Sequence, residues 1–192
     1  MDIEYEATFT NVDKNKIREK LSSLGAYQKR KEYLQKRSVF NLPKGNEIKG
    51  GWLRVRDEGE RITMSLKVVD GGKIEDQKET QLVVDSFDEA RKFLLGIFCQ
   101  EKAFQESRRE LWLLDGVEVT IDEWPFLEPF VEVEGSSEES VKQVSEKLGF
   151  DYGLAKFCSV DILYNEKYGT SLDEINNKTP KILFDMENPF LN

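Results

Sequence analysis

Apolar and polar side chains alternate along many short segments of this 192-residue chain, and this period-two pattern restricts its fold more than any other feature. In residues 2–9 the polar positions include Glu4 and Glu6. Side chains two apart in a β-strand share a face and lie roughly 6.5 Å from each other, so these carboxylates can share or flank a divalent cation. The pattern recurs in residues 52–57, 61–69, 117–122 and 130–134. Such a succession predicts an antiparallel sheet whose strands have one apolar and one charged face.

Helix signals lie between these segments and predict an α+β protein. Helices are expected from Asn11 or Asp13 to Gly25, from Ser86 to Leu95, from the capping box Ser136–Glu139 to near Gly149, and at residues 160–168. Further strands are expected at residues 27–42, 78–84 and 100–114. This order favours one large, strongly curved sheet or barrel. We expect one domain over residues 1–169 and a C-terminal helix or tail over residues 170–192, either docked or disordered.

Composition excludes several classes of protein. A net charge of −9 argues against a general nucleic-acid or anionic-membrane surface. The chain has no apolar run of ~18 residues that would span a membrane, and its acidic start lacks an apolar signal segment, so a cytoplasmic location is expected. The two cysteines, Cys99 and Cys158, are too few for a disulfide framework.

The absence of histidine restricts the chemistry further. It removes the usual Ser-His and Cys-His nucleophile pairs and the common zinc ligand sets. Any metal must therefore bind to carboxylates, which favours a hard cation such as Mg²⁺ or Mn²⁺.

The charges are segregated by sign between strands. Paired acids occur at Glu4 and Glu6, and paired arginines occur at Arg54 and Arg56. A solvated antiparallel sheet with cross-strand ion pairs shows the same alternation and explains any single strand. Taken together, however, separate acidic and arginine-rich strands favour a wet barrel that holds a cation and a polyanion, because guanidinium groups suit phosphate oxygens.

These residues resemble the CYTH family of the triphosphate tunnel metalloenzyme superfamily, and within it the class IV adenylyl cyclase branch. The family opens with an E-x-E-x-K strand, which residues 4–8 match up to Thr8. Its later motifs are an arginine pair, a lysine, a K-x-R strand, an aspartate and an E-x-E strand. They are matched by Arg54 and Arg56, Lys67, Ser107-Arg108-Arg109, Asp122, and Glu132 and Glu134; Lys78-Glu79 also fits the pattern.

The resemblance implies an eight-stranded antiparallel tunnel with helices packed outside, a small-molecule triphosphate such as ATP or polyphosphate as substrate, and a homodimer. It implies a Mg²⁺ or Mn²⁺ site made of five acids: Glu4, Glu6, Asp122, Glu132 and Glu134. The implied substrate-binding residues are Arg54, Arg56, Lys67, Glu79 and Arg109, with Lys67 and Arg109 also catalytic.

Two family lysines are replaced in this chain, by Thr8 and Ser107. Lys102, Arg108 and Lys156 are candidates for supplying the missing charge. Three activities follow from the resemblance and these departures. The first is conversion of ATP to cyclic AMP and pyrophosphate, the second is hydrolysis of an inorganic or organic triphosphate, and the third is binding of a nucleotide or polyphosphate without turnover.

Overall fold

A computed structural model describes residues 1–191 as ten strands and four α-helices, with short helical turns between them. The strands are β1 (Asp2–Ile3), β2 (Tyr5–Phe9), β3 (Tyr27–Asn41), β4 (Gly51–Asp57), β5 (Ile62–Val69), β6 (Gln77–Val84), β7 (Gln100–Leu114), β8 (Val117–Glu123), β9 (Phe130–Gly135) and β10 (Lys181–Ile182). The helices are α1 (Lys14–Ser23), α2 (Phe87–Gly96), α3 (Glu138–Leu148) and α4 (Val160–Tyr168).

The N-terminal segment closes the sheet on itself. The strand order is β1-β6-β5-β4-β3-β7-β8-β9-β2, and β1 and β2 are consecutive parts of one segment separated by Glu4. The backbone N–H of Glu4 donates to the carbonyl of Gln77 at 2.9 Å, which continues the contact with β6. Counted as one strand, β1 and β2 complete a nearly closed barrel of eight antiparallel strands. The predicted α+β barrel is therefore confirmed.

The C-terminal segment extends the wall of this barrel. Strand β8 pairs with β7 only from Arg108 onward, which leaves the first half of β7 without that neighbour. Strand β10 runs parallel to this half, with Lys181 opposite Phe104, and Phe190 is buried beyond it. Of the two expectations for the tail, docked or disordered, the structure shows a docked segment with a π-helical turn at Glu174–Lys178. The domain boundary at residue 169 stays a prediction.

The helices cover the outside of the barrel. Asp13 caps α1 by accepting from the backbone N–H groups of Asn15 and Lys16, and Gly25 at φ 76° follows the end of this helix. Helices α1 and α3 bury their apolar faces on the outer apolar positions of β2, β8 and β9. The apolar core therefore lies between sheet and helices, and the polar strand faces point into the barrel. Within residues 1–191, no helix is long and apolar enough to cross a membrane.

Candidate functional site

The inside of the barrel holds a cavity of about 920 Å³. Most of its walls are the polar strand faces that the sequence identified. Nine of the ten predicted site residues line it: Glu4, Glu6, Arg54, Arg56, Lys67, Glu79, Arg109, Glu132 and Glu134. The tenth, Asp122, is fully buried behind Arg109.

Three carboxylates from two neighbouring strands meet in this cavity. The β2–β9 register places Glu6 opposite Glu134 and Thr8 opposite Glu132, so these side chains share the inner face. One carboxylate oxygen from each of Glu4, Glu6 and Glu134 lies within 4.8 Å of the other two. An all-carboxylate donor set of this kind fits Mg²⁺ or Mn²⁺.

Repulsion between these acids is visible in their proton affinities. Burial, together with the charges of Glu132 and Glu4, raises the pKa of Glu6 well above its ordinary value. Burial and the charge of Glu4 raise the pKa of Glu134 to about 7. Lys67 opposes both shifts but does not cancel them. The cluster is therefore short of positive charge, which a bound cation would supply.

Two arginines of β4 carry donors that the described residues leave unused. Arg54 donates to Glu79 at 3.0 Å, and a terminal nitrogen of Arg56 forms an ion pair with Glu58 at 2.6 Å. Their Nε atoms are buried and have no hydrogen-bond partner within residues 1–191. The hydroxyl of Thr63, opposite Arg56 in the β4–β5 register, is likewise unpartnered within that range. A buried donor without a partner costs about 1–3 kcal/mol, and phosphate oxygens would satisfy these donors.

Crowding of positive charge marks the same part of the cavity. Burial, with the neighbouring charges of Arg54 and Arg109, lowers the pKa of Arg56 to about 10. An anion placed among these groups would relieve their repulsion. The arginines therefore form an electrostatic counterpart to the carboxylate cluster.

Arg109 is held in place by two acids. Its Nε and a terminal nitrogen donate to the two carboxylate oxygens of Asp122 at 2.7 and 2.9 Å, and it also contacts Glu132. Thr120 donates to the second Asp122 oxygen at 2.6 Å. Burial opposes the charge on Arg109, but Asp122 and Glu132 outweigh it and raise its pKa well above the ordinary value. Asp122 thus orients Arg109 in this geometry, and its predicted role as a metal ligand stays a prediction.

Lys67 connects the acidic and basic parts of the cavity. Its Nζ lies 2.7 Å from a carboxylate oxygen of Glu4, and it stands opposite Glu79 in the β5–β6 register. Although burial disfavours the charged carboxylate, Lys67 and Arg54 lower the pKa of Glu79 to about 2. Glu79 is therefore ionised, and its carboxylate accepts a hydrogen bond from Arg54.

The sequence missed one central cation of the cavity, Arg37 on β3. Its Nε donates to Gln105 at 2.9 Å, and its guanidinium lies 4.0 Å from the ring centroid of Trp124. Within the described residues it has no carboxylate within 4 Å. The period-two spacing of Gln35 and Arg37 was a signal, but Lys36 makes the other face of the strand polar as well.

The structure separates the three candidates for replacing the family lysines. Lys102 lines the cavity. Arg108 points outward, where it pairs with Glu123 at 3.1 Å. Lys156 pairs with Glu166 at 2.6 Å and does not line the cavity. Of the three candidates, Lys102 alone lines the cavity, and Arg37 is a further cation there; compensation for Thr8 and Ser107 stays a prediction.

The charged tunnel agrees with the comparison of the sequence with family models, in which residues 2–159 match the CYTH domain. This chain belongs to the CYTH domain family. CYTH proteins are typically metal-dependent enzymes, with cyclase or triphosphatase activity. Comparison with curated protein sequences gives no significant match.

Several solved structures share the CYTH fold of this chain. A candidate adenylate cyclase from Vibrio parahaemolyticus has a TM-score of 0.73 at 10% identity, covering 84% of this chain and 97% of that one. PH1819 from Pyrococcus horikoshii OT3 has a TM-score of 0.69 at 20% identity, covering 85% of this chain and 99% of that one. HpAC1 from Hippeastrum has a TM-score of 0.60 at 16% identity, covering 88% of this chain and 97% of that one. It is a candidate adenylyl cyclase that is described as having a dominant triphosphatase activity. At these identities the similarity establishes the fold alone.

Proposed function

We propose that this CYTH protein is a Mg²⁺- or Mn²⁺-dependent enzyme that acts on an organic triphosphate inside its tunnel. The leading reaction is conversion of ATP to cyclic AMP and pyrophosphate, as in class IV adenylyl cyclases. A homodimer, a cytoplasmic location and the absence of nucleic-acid and membrane partners stay predictions of the sequence.

One observation carries this proposal. Unpartnered Nε donors of Arg54 and Arg56 lie in the same cavity as the carboxylates of Glu4, Glu6 and Glu134. The first group lacks an anion and the second lacks a cation. A triphosphate with its divalent cation supplies both at once.

The residues act by positioning and by neutralising charge. Arg54 and Arg56 bind phosphate oxygens, and Arg109, fixed by Asp122, supports the charge that develops in the transition state. A divalent cation bound at the acids would neutralise phosphate charge from the other side. In the cyclase reaction the ribose 3′-oxygen attacks the α-phosphorus, its proton passes to a carboxylate of the acidic cluster, and the bond to the bridging oxygen of pyrophosphate breaks.

The size of the cavity favours an organic triphosphate over an inorganic one. About 920 Å³ is near the upper end of the ~300–1,000 Å³ range of pockets that hold organic small molecules. Apolar side chains, among them Val160 and Ile175, line the cavity together with the charged groups. A cavity of this size and mixed lining offers room for a nucleoside as well as for the phosphates.

Hydrolysis of the terminal phosphate is the second candidate. The charged groups would serve it equally well, because water then attacks the terminal phosphorus in place of the ribose oxygen. HpAC1, whose fold is similar, is described as having a dominant triphosphatase activity. This description supports hydrolysis as the second candidate reaction.

Product analysis tests the proposal. Purified protein is incubated with ATP and, separately, with tripolyphosphate, each with Mg²⁺ or Mn²⁺, and cyclic AMP, pyrophosphate and orthophosphate are resolved. We expect cyclic AMP and pyrophosphate in equal amounts from ATP. Orthophosphate without cyclic AMP would favour the second candidate. Binding without any product would overturn both enzymatic functions and leave a binding module.

A further inference from the structure

The far wall of the cavity is built by residues that lie beyond the matched CYTH segment. Helix α4, the π-helical turn and β10 all follow residue 159, and each contributes lining residues. Tyr164, Ile175 and Ile182 anchor them in one buried cluster with Trp124 and Phe130. The wall is therefore fixed to the barrel, and it gives this chain a surface that the family motifs do not specify.

A row of polar side chains crosses this wall. The Nζ of Lys102, on β7, donates to the side-chain oxygen of Asn176 at 3.3 Å. The side-chain nitrogen of Asn176 donates to Asp161, on α4, at 2.6 Å. An ammonium group can only donate and an ionised carboxylate can only accept. These neighbours therefore fix the orientation of the Asn176 amide.

Asn176 retains half of its hydrogen-bonding capacity. An amide side chain has two N–H donors and two oxygen lone pairs, and each of the two contacts uses one. Asn176 lines the cavity, so one amide donor and one amide acceptor remain for a ligand. Adenine presents the complementary pair, an amino donor next to a ring-nitrogen acceptor, and asparagine binds this edge through two hydrogen bonds.

We propose that Asn176 recognises the adenine base of a nucleoside triphosphate whose phosphates lie among the tunnel arginines. The inference rests on the proposed function and assigns the selectivity for an adenine base to one residue of this chain. Hypoxanthine carries a carbonyl where adenine carries its amino group. The base of ITP would therefore place an acceptor against the fixed Asn176 oxygen, and the site would discriminate against it.

Binding of three ligands to Asn176→Ala tests this role. Apparent affinities for ATP, ITP and tripolyphosphate are measured by thermal-shift titration with Mg²⁺, for the wild type and the variant. We expect ATP to bind on the order of tenfold more weakly to the variant, the preference for ATP over ITP to disappear, and tripolyphosphate binding to stay unchanged. Asn177→Ala is the matched control, because the exposed amide of Asn177 contacts Asp173 instead, and it should bind all three ligands as the wild type does.

The remaining outcomes separate this inference from the proposed function. A wild type that binds tripolyphosphate but shows no preference for ATP over ITP overturns the role of Asn176 and leaves the triphosphate tunnel standing. A wild type that binds neither ATP nor tripolyphosphate overturns both. Equal weakening of all three ligands in Asn176→Ala shows a purely structural residue and overturns the inference. Should Asn176→Ala not fold, Asn176→Leu keeps much of the side-chain volume without the amide donor and acceptor, and retention of the wild-type ATP-to-ITP ratio in that variant overturns it.

Discussion

Two neighbouring residues of β7, Glu110 and Arg109, point to opposite sides of the barrel wall. Outside, Glu110 is 2% exposed, and its carboxylate is fully used. One oxygen accepts from Gln28 at 2.8 Å and Trp112 at 2.7 Å. The other accepts from two nitrogens of Arg18 at 2.9 and 2.8 Å. This outer cluster is complete without any ligand.

The interior that Arg109 faces is incomplete. Unpartnered donors of Arg54 and Arg56 and repelling acids at Glu6 and Glu134 lie in one cavity. Both regions bury charge, but only the outer one pairs all of it. The difference indicates that the outer cluster stabilises the fold, whereas the unpaired groups of the tunnel lower its stability and are available to bind a ligand.

Removing a tunnel charge should produce the largest effect, and it should fall on activity. We expect Arg56→Ala and Glu6→Gln each to reduce turnover on the order of 10³-fold, because each removes charge stabilisation of the transition state. Thermal unfolding should change little, since Arg61 still pairs with Glu58 at 2.7 Å in the arginine variant. Wild-type turnover in both variants would show that the site is misassigned.

Removing the outer carboxylate should reverse that pattern. Glu110→Ala leaves the Trp112 and Gln28 donors unpaired, and we expect the free energy of unfolding to fall by about 3 kcal/mol. Turnover per folded molecule should remain at the wild-type level. Urea denaturation measures the first quantity, and Glu89→Ala, which removes an exposed carboxylate on α2, is the control with less than about 0.5 kcal/mol of change. Equal losses of unfolding free energy in Glu110→Ala and Glu89→Ala would contradict a stabilising role of the outer cluster.

Arg37 tests whether a tunnel cation compensates for the missing lysines. Arg37→Gln should weaken tripolyphosphate binding about tenfold, as expected for the loss of one charge-assisted hydrogen bond. Arg108→Gln removes the same charge from the outside, next to Glu123, and should leave affinity unchanged. Calorimetric titration of tripolyphosphate in the presence of Mg²⁺ measures the affinity of each variant. Similar affinities in Arg37→Gln and Arg108→Gln would exclude a special role for Arg37.

The smallest effect is the pH dependence of the metal-free protein. The pKa of Glu134 is raised in the fold from 4.5 to about 7, so between these values the folded protein binds more protons than the unfolded chain. Stability therefore falls as pH rises through this window, by about 1 kcal/mol, since solvent reaches Glu134 and screens the shift. Stabilisation by Mg²⁺ should grow over the same window, because the cation competes with protons. Glu134→Gln should reduce the slope of stability against pH. An unchanged slope would show that other groups cause the pH dependence.

The sequence predicted the barrel well because the alternation of Glu4, Glu6, Arg54 and Arg56 is a local property of each strand. The ends of β7 and α4 matched the predicted residues 100–114 and 160–168. Contacts between distant segments were harder to foresee. The interruption at Glu4 depends on two partner strands, β6 and β9, and no local pattern encodes it.

Two further features were missed for similar reasons. Strand β10 has only two residues, Lys181 and Ile182, and such a short strand shows no period. Asn176 lies in a polar run that resembles an ordinary loop, and its role depends on Lys102, 74 residues earlier.

The seam formed by β1 and β2 has a consequence for how the protein folds. Strand β2 pairs with β9 across a long stretch of sequence, with Tyr5 opposite Gly135, 130 residues later. Closure therefore joins distant parts of the chain, and the long sequence separation makes it a slow step. Glu4 and Glu6 are part of that seam. The last strand pairing to form should also complete the carboxylate cluster, so cation binding would report directly that the barrel has closed.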